Sequence, residues 1–257
     1  MDIKNKTIIL TGAARVGKSV AKMLGERGAN LVITYLRSKK EADVMCEKCK
    51  EVGSQAIEVC ADLSKAHDIA NVVREAKRAF GRIDGLVHMA ASYPRTPWET
   101  LTEEDWERTM DVIAKSTFLL GKMVGDELLK NEGDHVRVNG GTTGRVKGKI
   151  ITISDWSVLT RPYKDYLPYN AAKAAVEGLT KALAKELAPH VLVNAIAPGP
   201  ILAPPGLTDE ENAEVLSHTP LARWGGPDEI AKAVLYFFDA DFVTGVVLPV
   251  DGGRTIG

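Results

Sequence analysis

A tyrosine and a lysine stand four residues apart in an alanine-rich stretch, at Tyr169 and Lys173. Residues with this spacing lie on the same face of a helix, one turn apart. A phenol has a pKa of about 10, too high for acid–base catalysis at neutral pH, but a neighbouring ammonium group lowers that pKa. The pair therefore predicts a tyrosine that exchanges a proton with a substrate. The alternative is a core tyrosine beside a solvated lysine, because the spacing occurs in many helices.

The elements that must position this pair follow from the pattern of apolar residues. Seven short apolar runs lie at residues 7–10, 31–34, 56–60, 85–89, 149–154, 191–196 and 246–249. Strand-like and helical patterns alternate along the chain, which predicts a parallel sheet with helices on both faces. We therefore predict an α/β fold, a doubly wound parallel sheet of about seven strands. No linker or internal repeat divides the chain, so residues 1–257 are predicted to form a single domain.

Two segments stand out from this alternation. Residues 133–148 are rich in glycine and contain Asn139-Gly140, a signal for a tight turn, so we expect an inserted hairpin or loop without chemistry of its own. Residues 201–220 are rich in proline and contain a short acidic helical stretch. We expect this second segment to form a lid over the substrate site.

Charge and hydropathy limit the classes of partner. The formal net charge is −1 over 257 residues, which indicates no broad field for nucleic acid or for a membrane surface. The apolar run after the first residues is too short for a signal peptide, and no run reaches the length of a membrane span. We expect a cytoplasmic protein that acts on a small molecule.

The cysteines invite a metal or redox interpretation. Cys46 and Cys49 form a C-x-x-C in a charged helical stretch, and Cys60 stands apart. A zinc site needs a second pair of ligands at suitable spacing, and the sequence offers none. We therefore expect reduced thiols and no metal.

A glycine-containing turn follows the first predicted strand and opens the first predicted helix, between Gly12 and Gly17. In a doubly wound sheet this position binds a dinucleotide. Glycines let backbone amides approach the pyrophosphate, and the helix N-terminus favours its negative charge.

The end of the second predicted strand bears on the choice between NAD and NADP. A carboxylate there accepts hydrogen bonds from the ribose 2′-hydroxyl of NAD, but residues 34–38 contain no acid. Arg37, Ser38 and, from the glycine turn, Arg15 suit a 2′-phosphate by charge and hydrogen bonding. The sequence therefore favours NADP(H). The alternative is that both arginines are solvated surface residues that bind no phosphate.

Several motifs, in order along almost the whole chain, resemble those of the short-chain dehydrogenase/reductase family. They are TGAARVG at 11–17, Asp62-Leu63, LVHMAA at 86–91, YNAAK at 169–173, NAIAPG at 194–199, RWGGP at 223–227 and DGG at 251–253. The resemblance implies a Rossmann-type fold, a nicotinamide cofactor and reversible hydride transfer at a carbonyl or imine. It also implies a homo-oligomer, either a dimer or a tetramer.

The resemblance implies roles for individual residues. Tyr169 is expected to donate the proton in reduction, and Lys173 to lower its pKa and bind the nicotinamide ribose. Tyr169 is itself expected to contact the cofactor. The other expected cofactor contacts are Gly12, Arg15, Val16 and Gly17 at the pyrophosphate, Asp62 and Leu63 at the adenine, Met89 and Ala90 beside the ribose, and Pro198, Gly199 and Ile201 around the nicotinamide.

Three departures from the family pattern concern the cofactor and the proton supply. The glycine turn is one residue short, and Arg15 or Val16 stands where the middle glycine is usual, so the pyrophosphate turn must be rearranged. His88 replaces the first asparagine of the family's Asn-Asn-Ala-Gly segment, and we expect it to be a packed polar residue. Ile113 stands at the position of an asparagine that helps to hold a proton-relay water, so proton supply takes another route or turnover is poor.

The fourth departure is Asp155, at the position of the family's catalytic serine. An ionised carboxylate only accepts hydrogen bonds, so it suits a substrate that presents N–H groups, such as a pterin ring. Asp155, followed by Trp156, resembles the pteridine-reductase-like branch, and we expect Asp155, Trp156 and Tyr169 to contact the substrate. The alternative is that Ser154 or Ser157 takes the role of the serine and that Asp155 is structural.

The leading hypothesis is an NADPH-dependent reductase of small C=O or C=N substrates, with a pteridine-like compound as one candidate. A second hypothesis is a 3-oxoacyl-thioester or general ketone reductase. A third is a catalytically impaired NADP-binding regulator, which the missing asparagine and the altered glycine turn favour and the intact Tyr169 and Lys173 pair opposes.

Overall fold

The structure of the chain is a computed structural model that describes residues 1–12, 14–138, 141–204 and 206–257, without the side chains of residues 137–143. Its strands are β1 (Thr7–Thr11), β2 (Asn30–Tyr35), β3 (Ala56–Cys60), β4 (Gly85–His88), β5 (Asp134–Val138), β6 (Gly141–Val146), β7 (Gly148–Ile153), β8 (Val191–Pro198) and β9 (Val247–Val250). Its α-helices are α1 (Val16–Glu26), α2 (Lys39–Glu51), α3 (Ala66–Phe80), α4 (Glu103–Met110), α5 (Ser116–Leu128), α6 (Trp156–Leu159), α7 (Leu167–Leu187), α8 (Asp209–Ser217) and α9 (Pro227–Asp239). A π-helical turn, Asp111–Lys115, joins α4 to α5.

Seven strands form one sheet in the order β3-β2-β1-β4-β7-β8-β9, and every neighbouring pair is parallel. This arrangement confirms the predicted doubly wound α/β fold. The central strands β1 and β4 are buried on both faces, which explains why they read as continuous apolar runs in the sequence.

Two hydrophobic layers cover the two faces of the sheet. Successive side chains of a strand point to opposite faces, so Ile8 and Leu10 join one layer and Ile9 joins the other. The first layer is completed by buried side chains of α1, α2 and α9, and the second by those of α3, α5 and α7. The sheet is therefore covered by helices on both faces, and its loops lie at the two ends of the strands.

The carboxyl ends of parallel strands meet at one edge of the sheet, where ligands bind in folds of this type. The glycine turn follows β1, Met89 follows β4, Asp155 lies two residues beyond β7, and Gly199 follows β8. Segments that are far apart in the sequence are therefore brought to this edge.

The insertion lies at the opposite edge. Strands β5 and β6 pair antiparallel in a two-stranded ribbon apart from the main sheet. Lys6, just before β1, contacts Asp134 at the start of the ribbon with Nζ 2.8 Å from Oδ1. The ribbon therefore lies near the amino ends of the strands, away from the edge that carries Asp155 and Gly199. The tight turn predicted at Asn139-Gly140 falls outside the described residues.

Candidate active site

Tyr169 and Asp155 are joined directly at this edge. The Tyr169 hydroxyl donates a hydrogen bond to Asp155 Oδ2 at 2.7 Å. Asp155 is the N-cap of α6, and its other oxygen, Oδ1, accepts from the Ser157 backbone N–H at 2.9 Å. Capping fixes one oxygen of the carboxylate and leaves the second to face the phenol.

The two serines beside Asp155 are directed elsewhere. Ser154 Oγ donates to Glu177 Oε1 at 2.8 Å, one turn beyond Lys173 on α7. Ser157 Oγ is buried and has no hydrogen-bond partner among the described residues. The carboxylate of Asp155, and not the Ser154 hydroxyl, is therefore the group that faces Tyr169.

Lys173 lies on the same face of α7 as Tyr169, and both side chains are buried. Its Nζ is 5.7 Å from the centre of the Tyr169 ring and donates to the Ile153 carbonyl at 2.7 Å. Burial lowers the pKa of Lys173 to about 8, and the Asp155 carboxylate opposes that shift. The ammonium group has three N–H donors, so donors remain for a ligand hydroxyl.

The pKa of Tyr169 is shifted in the direction opposite to that expected from the sequence. Burial raises it well above its ordinary value, and the Asp155 carboxylate raises it further, because both favour the neutral phenol. Tyr169 is therefore held in the neutral, protonated form.

Aromatic side chains form a wall beside this pair that the sequence motifs did not identify. The Tyr93 ring meets the Tyr169 ring edge-on, with centroids 4.6 Å apart, and stacks on Tyr166 at 4.3 Å. Trp156 Nε1 donates to the Tyr163 hydroxyl at 2.7 Å. The sequence offered only a clustering of tyrosine, tryptophan and proline in residues 93–98 and 162–169, which did not indicate that the two clusters meet.

His88 is a packed polar residue, as expected. The Met89 and Ala90 N–H groups both donate to Thr11 Oγ1, so the Thr11 hydroxyl donates to His88 Nδ1 at 2.8 Å. Nε2 then carries the proton and donates to Ser116 Oγ at 2.9 Å. Burial lowers the pKa of His88 to about 3, with a further contribution from Lys173, so the ring is neutral and acts as a link between β1, β4 and α5.

Ile113 lies in the π-helical turn and is buried against the helix that carries Tyr169. Its carbonyl accepts from Thr117 Oγ1 at 2.6 Å. The side chain supplies an apolar wall behind Tyr169 instead of an amide, and π-helical turns are frequent at functional sites.

The glycine turn packs against the end of β4. A Cβ on Gly12 would lie 3.0 Å from the Ala90 nitrogen, and one on Gly17 would lie 2.2 Å from the Gly12 carbonyl oxygen, so neither position tolerates a side chain. Arg15 is the N-cap of α1, with a φ of 52°, and Val16 is the first helical residue. Ala13, in the middle of the turn, lies outside the described residues.

Arg37 and Ser38 lie beside this turn. Thr11 and Thr34 are in register on neighbouring strands, which places the residues after β2 next to the glycine turn. Arg37 is exposed, and Ser38 is the N-cap of α2 without a side-chain capping bond. Arg15 Nη2 reaches the Leu202 and Ala203 carbonyls at the start of the expected lid, at 3.4 Å each.

The residues expected at the adenine lie at the end of β3. Leu63 is buried, and the Asp62 carboxylate accepts from Ser64 Oγ at 2.7 Å and from the Ser64 N–H at 3.1 Å. The Ser64 hydroxyl lowers the pKa of Asp62, and burial opposes that shift. The carboxylate thus caps its own turn, and the Asp62 N–H donates to Asp68 Oδ2 at 2.8 Å.

The residues expected around the nicotinamide follow β8. The Gly199 N–H donates to the Val250 carbonyl at 3.0 Å, and a Cβ on Gly199 would lie 2.5 Å from the Asp251 Cα. Pro198 ends β8, and the side chain of Ile201 is buried. Gly199 is therefore required by a close approach of two backbones at this edge.

The two cysteines of the C-x-x-C do not form a candidate redox or metal site. Cys46 and Cys49 are buried free thiols of α2, and burial raises the pKa of Cys46 to about 12 and that of Cys49 to about 11. Within the part of the chain that the structure describes, no cluster of His, Cys, Asp or Glu is arranged to hold a metal ion. None of the helices described above is both long and apolar enough to cross a membrane.

Known proteins share this architecture over nearly their full length. A family model described as enoyl-(acyl carrier protein) reductase matches residues 12–255. A 3-oxoacyl-(acyl-carrier-protein) reductase of Synechocystis is 34% identical, with 96% of each chain covered. Acetoin dehydrogenase of Enterobacter cloacae is 31% identical with a TM-score of 0.84, covering 98% of this chain and 96% of that one.

A further neighbour shares the whole length of the chain. FolM alternative dihydrofolate reductase 1 of Brucella canis, solved in complex with NADP, is 28% identical with a TM-score of 0.86 and covers 100% of this chain and 97% of that one. The parallel sheet, the glycine turn at its carboxyl edge and the Tyr169 and Lys173 pair agree with these matches. The chain belongs to the short-chain dehydrogenase/reductase family of oxidoreductases.

Proposed function

We propose that this oxidoreductase uses NADPH to reduce a small, flat C=N or C=O substrate of pteridine type, with Tyr169 as the proton donor. The observation that carries the proposal is the 2.7 Å hydrogen bond from the Tyr169 hydroxyl to Asp155 Oδ2. It sets a proton donor and a carboxylate acceptor side by side at the edge of the sheet where dinucleotides bind.

The carboxylate selects among substrates by charge. Negative charge develops on the oxygen of a ketone during reduction, and the carboxylate of Asp155 opposes that charge. A ring that presents an N–H group to Asp155 and a nitrogen or oxygen acceptor to Tyr169 satisfies both side chains at once. An N–H-bearing heterocycle is therefore favoured over a simple ketone.

The aromatic wall favours a flat substrate. Tyr93 is 51% exposed although its ring contacts both Tyr169 and Tyr166, so part of its surface is open to a ligand. Aromatic rings stack with offset geometry and add about 0.5–1.5 kcal/mol beyond the area that they bury. A planar ring beside Tyr93 lies within reach of the Tyr169 hydroxyl.

The residues at the dinucleotide edge fit a nicotinamide cofactor, which supplies the hydride when bound. Gly12 and Gly17 allow a turn so close that a Cβ would meet backbone atoms, and the N-terminus of α1 favours the phosphates. Lys173 retains N–H donors for a ribose hydroxyl. Arg37 and Ser38, in a segment (residues 34–38) that contains no acid, favour the 2′-phosphate of NADP.

A second candidate function is reduction of a 3-oxoacyl thioester or a simple ketone. The 34% identity to a 3-oxoacyl-(acyl-carrier-protein) reductase favours it. Asp155 counts against it, because the carboxylate opposes the negative charge that develops on a ketone oxygen. The two candidates therefore predict different responses to a change at this position.

Asp155→Ser is expected to lower kcat/KM for a dihydropterin about tenfold or more relative to that for a simple ketone. Serine is also a good N-cap, so α6 keeps its cap while the carboxylate is lost. The measurement is NADPH oxidation with both substrate types, for the wild type and the variant. The control is Ser154→Ala, which removes the hydroxyl bonded to Glu177 and should leave the ratio unchanged. Equal losses on both substrates contradict the assignment.

Arg37→Ala is expected to raise the KM for NADPH about 10- to 100-fold and to leave the KM for NADH unchanged. A hydrogen bond to a charged group contributes about 1.5–3 kcal/mol, and only NADPH carries the 2′-phosphate. The matched control is Lys39→Ala, because Lys39 is an exposed cation two residues away that already pairs with Asp43. A parallel change for both cofactors contradicts a 2′-phosphate site at Arg37.

A further inference from the structure

Arg254 sits on a tightly fixed turn close to the candidate active site. The buried carboxylate of Asp251 accepts from the Gly253 N–H at 2.9 Å and from the Thr255 N–H at 2.7 Å. The Arg254 N–H donates to the Asp251 carbonyl at 3.3 Å. The backbone that carries the guanidinium is thus held in one conformation by its own turn.

The guanidinium of Arg254 contacts both the expected lid and Trp156 of the aromatic wall. Its Nη1 donates to the Val215 carbonyl at 2.5 Å and to Thr219 Oγ1 at 3.4 Å. Its central carbon lies 4.9 Å from the centre of the Trp156 ring. A cation is favourable both at the C-terminal end of a helix, where Val215 lies, and over the face of a tryptophan.

Helix α8 depends on such polar contacts because it contributes no buried residue to the fold. A second polar contact comes from Trp224, whose Nε1 donates to Asn212 Oδ1 at 2.8 Å. A helix without buried side chains gains little from hydrophobic packing, so it opens at low free-energy cost. Pro205, which precedes this helix, lies outside the described residues.

Trp156 connects this bridge to the reacting groups. It directly follows Asp155, and its indole N–H donates to the Tyr163 hydroxyl. The Tyr163 ring lies 5.9 Å from that of Tyr93, which contacts Tyr169. The position of the Trp156 ring thus determines the shape of the wall in front of Asp155 and Tyr169.

We propose that Arg254 is a positioning residue that fastens helix α8 to Trp156 and so holds the substrate, but not the cofactor, in front of Asp155 and Tyr169. The effect on substrate rests on the proposed reductase function. The fastening of α8 rests on the contacts of Arg254 alone, and the two parts have separate tests.

The fastening is tested by limited proteolysis with a glutamyl endopeptidase, because Glu210, Glu211 and Glu214 of α8 are exposed. Arg254→Ala is expected to be cleaved in α8 about tenfold faster than the wild type, and Arg254→Lys at an intermediate rate. The matched control is Arg223→Ala, since Arg223 is exposed and its one hydrogen bond among the described residues goes to the neighbouring Trp224 carbonyl. Cleavage of Arg254→Ala within twofold of the wild-type rate overturns the proposal.

The effect on substrate is tested by steady-state kinetics. Arg254→Ala is expected to raise the KM for the substrate about tenfold while kcat and the KM for NADPH stay within twofold, and Arg254→Lys should restore part of the loss. A merely structural role would lower the active fraction and so reduce kcat, and that result overturns the proposal. If the wild type reduces no substrate of the panel, the reductase function fails while the proteolysis still decides whether Arg254 fastens α8.

Discussion

Tyr169→Phe is expected to lower kcat by about 10²–10⁴-fold, the range that a positioned general acid contributes. The substitution removes the hydroxyl that donates to Asp155 Oδ2 and keeps the ring that packs against Tyr93. The loss should therefore lie in the proton transfer and not in the folding of α7. Binding of NADPH should stay within twofold of the wild type, because Lys173 and the other residues expected to contact the cofactor are unchanged.

The measurement is the rate of a single turnover at saturating substrate and NADPH, together with NADPH binding by fluorescence. The control is Tyr236→Phe, which removes a phenol hydroxyl from α9 on the other side of the sheet and should leave the rate unchanged. A Tyr169→Phe rate within tenfold of the wild type means that the proton comes from another group. Loss of NADPH binding together with activity means that Tyr169 serves mainly to hold the cofactor.

The prediction from the sequence and the structure differ most in the direction of the pKa shift of Tyr169. The spacing of Tyr169 and Lys173 indicated an ammonium that lowers the pKa of the phenol. Spacing along a helix says which residues share a face, but not what else reaches that face. Here the Asp155 carboxylate and burial raise the pKa, and both depend on how the end of β7 meets the start of α7.

The sheet was predictable because its signals are local. Apolar runs of strand length alternate with helical spacing, and each run bounded by turn residues lies within a few positions of a strand. The choice between Ser154 and Asp155 was not predictable, because adjacent residues at a strand end point in different directions and a shift of one residue exchanges them. In the structure, Ser154 hydrogen-bonds to Glu177, and Asp155 hydrogen-bonds to Tyr169.

The aromatic wall beside Tyr169 could not be predicted from the sequence for a related reason. Tyr93 and Tyr163 lie in two loops that follow different strands, and they meet only because β4 and β7 are neighbours in the sheet. Arg254 reaches Trp156 from the last residues of the chain. Contacts between loops depend on strand order, which apolar periodicity does not reveal.

Lys149 lies at the start of β7, at the end of the sheet away from Asp155, and is fully buried. Its Nζ donates to the carbonyls of Phe237 at 3.1 Å, Phe238 at 2.8 Å and Ala240 at 2.7 Å, and to Asp241 Oδ1 at 2.6 Å. These carbonyls lie at the C-terminal end of α9, where a helix leaves carbonyls without intrahelical partners. Burial lowers the pKa of Lys149, and the Asp241 carboxylate opposes that shift.

Lys149→Met is expected to lower the free energy of unfolding by about 3 kcal/mol, because removing one member of a buried, hydrogen-bonded charge pair costs about 3–5 kcal/mol. The estimate is at the lower end of this range because the Asp241 side chain is 31% exposed and keeps a second partner, the Met1 amino group at 3.0 Å. Methionine fills most of the space of the lysine stem, so the loss falls mainly on carbonyls left without a donor.

Urea unfolding at neutral pH measures this change in the free energy of unfolding. The control is Lys181→Met, because Lys181 is exposed on α7. Its replacement should shift the free energy of unfolding by less than about 0.5 kcal/mol. The folded fraction of Lys149→Met should keep the wild-type kcat, because Asp155 lies at the opposite end of β7. A loss below about 1 kcal/mol would show that water replaces the ammonium group at the end of α9. A fall in the kcat of the folded fraction would show that the end of α9 and the active site are coupled through β7.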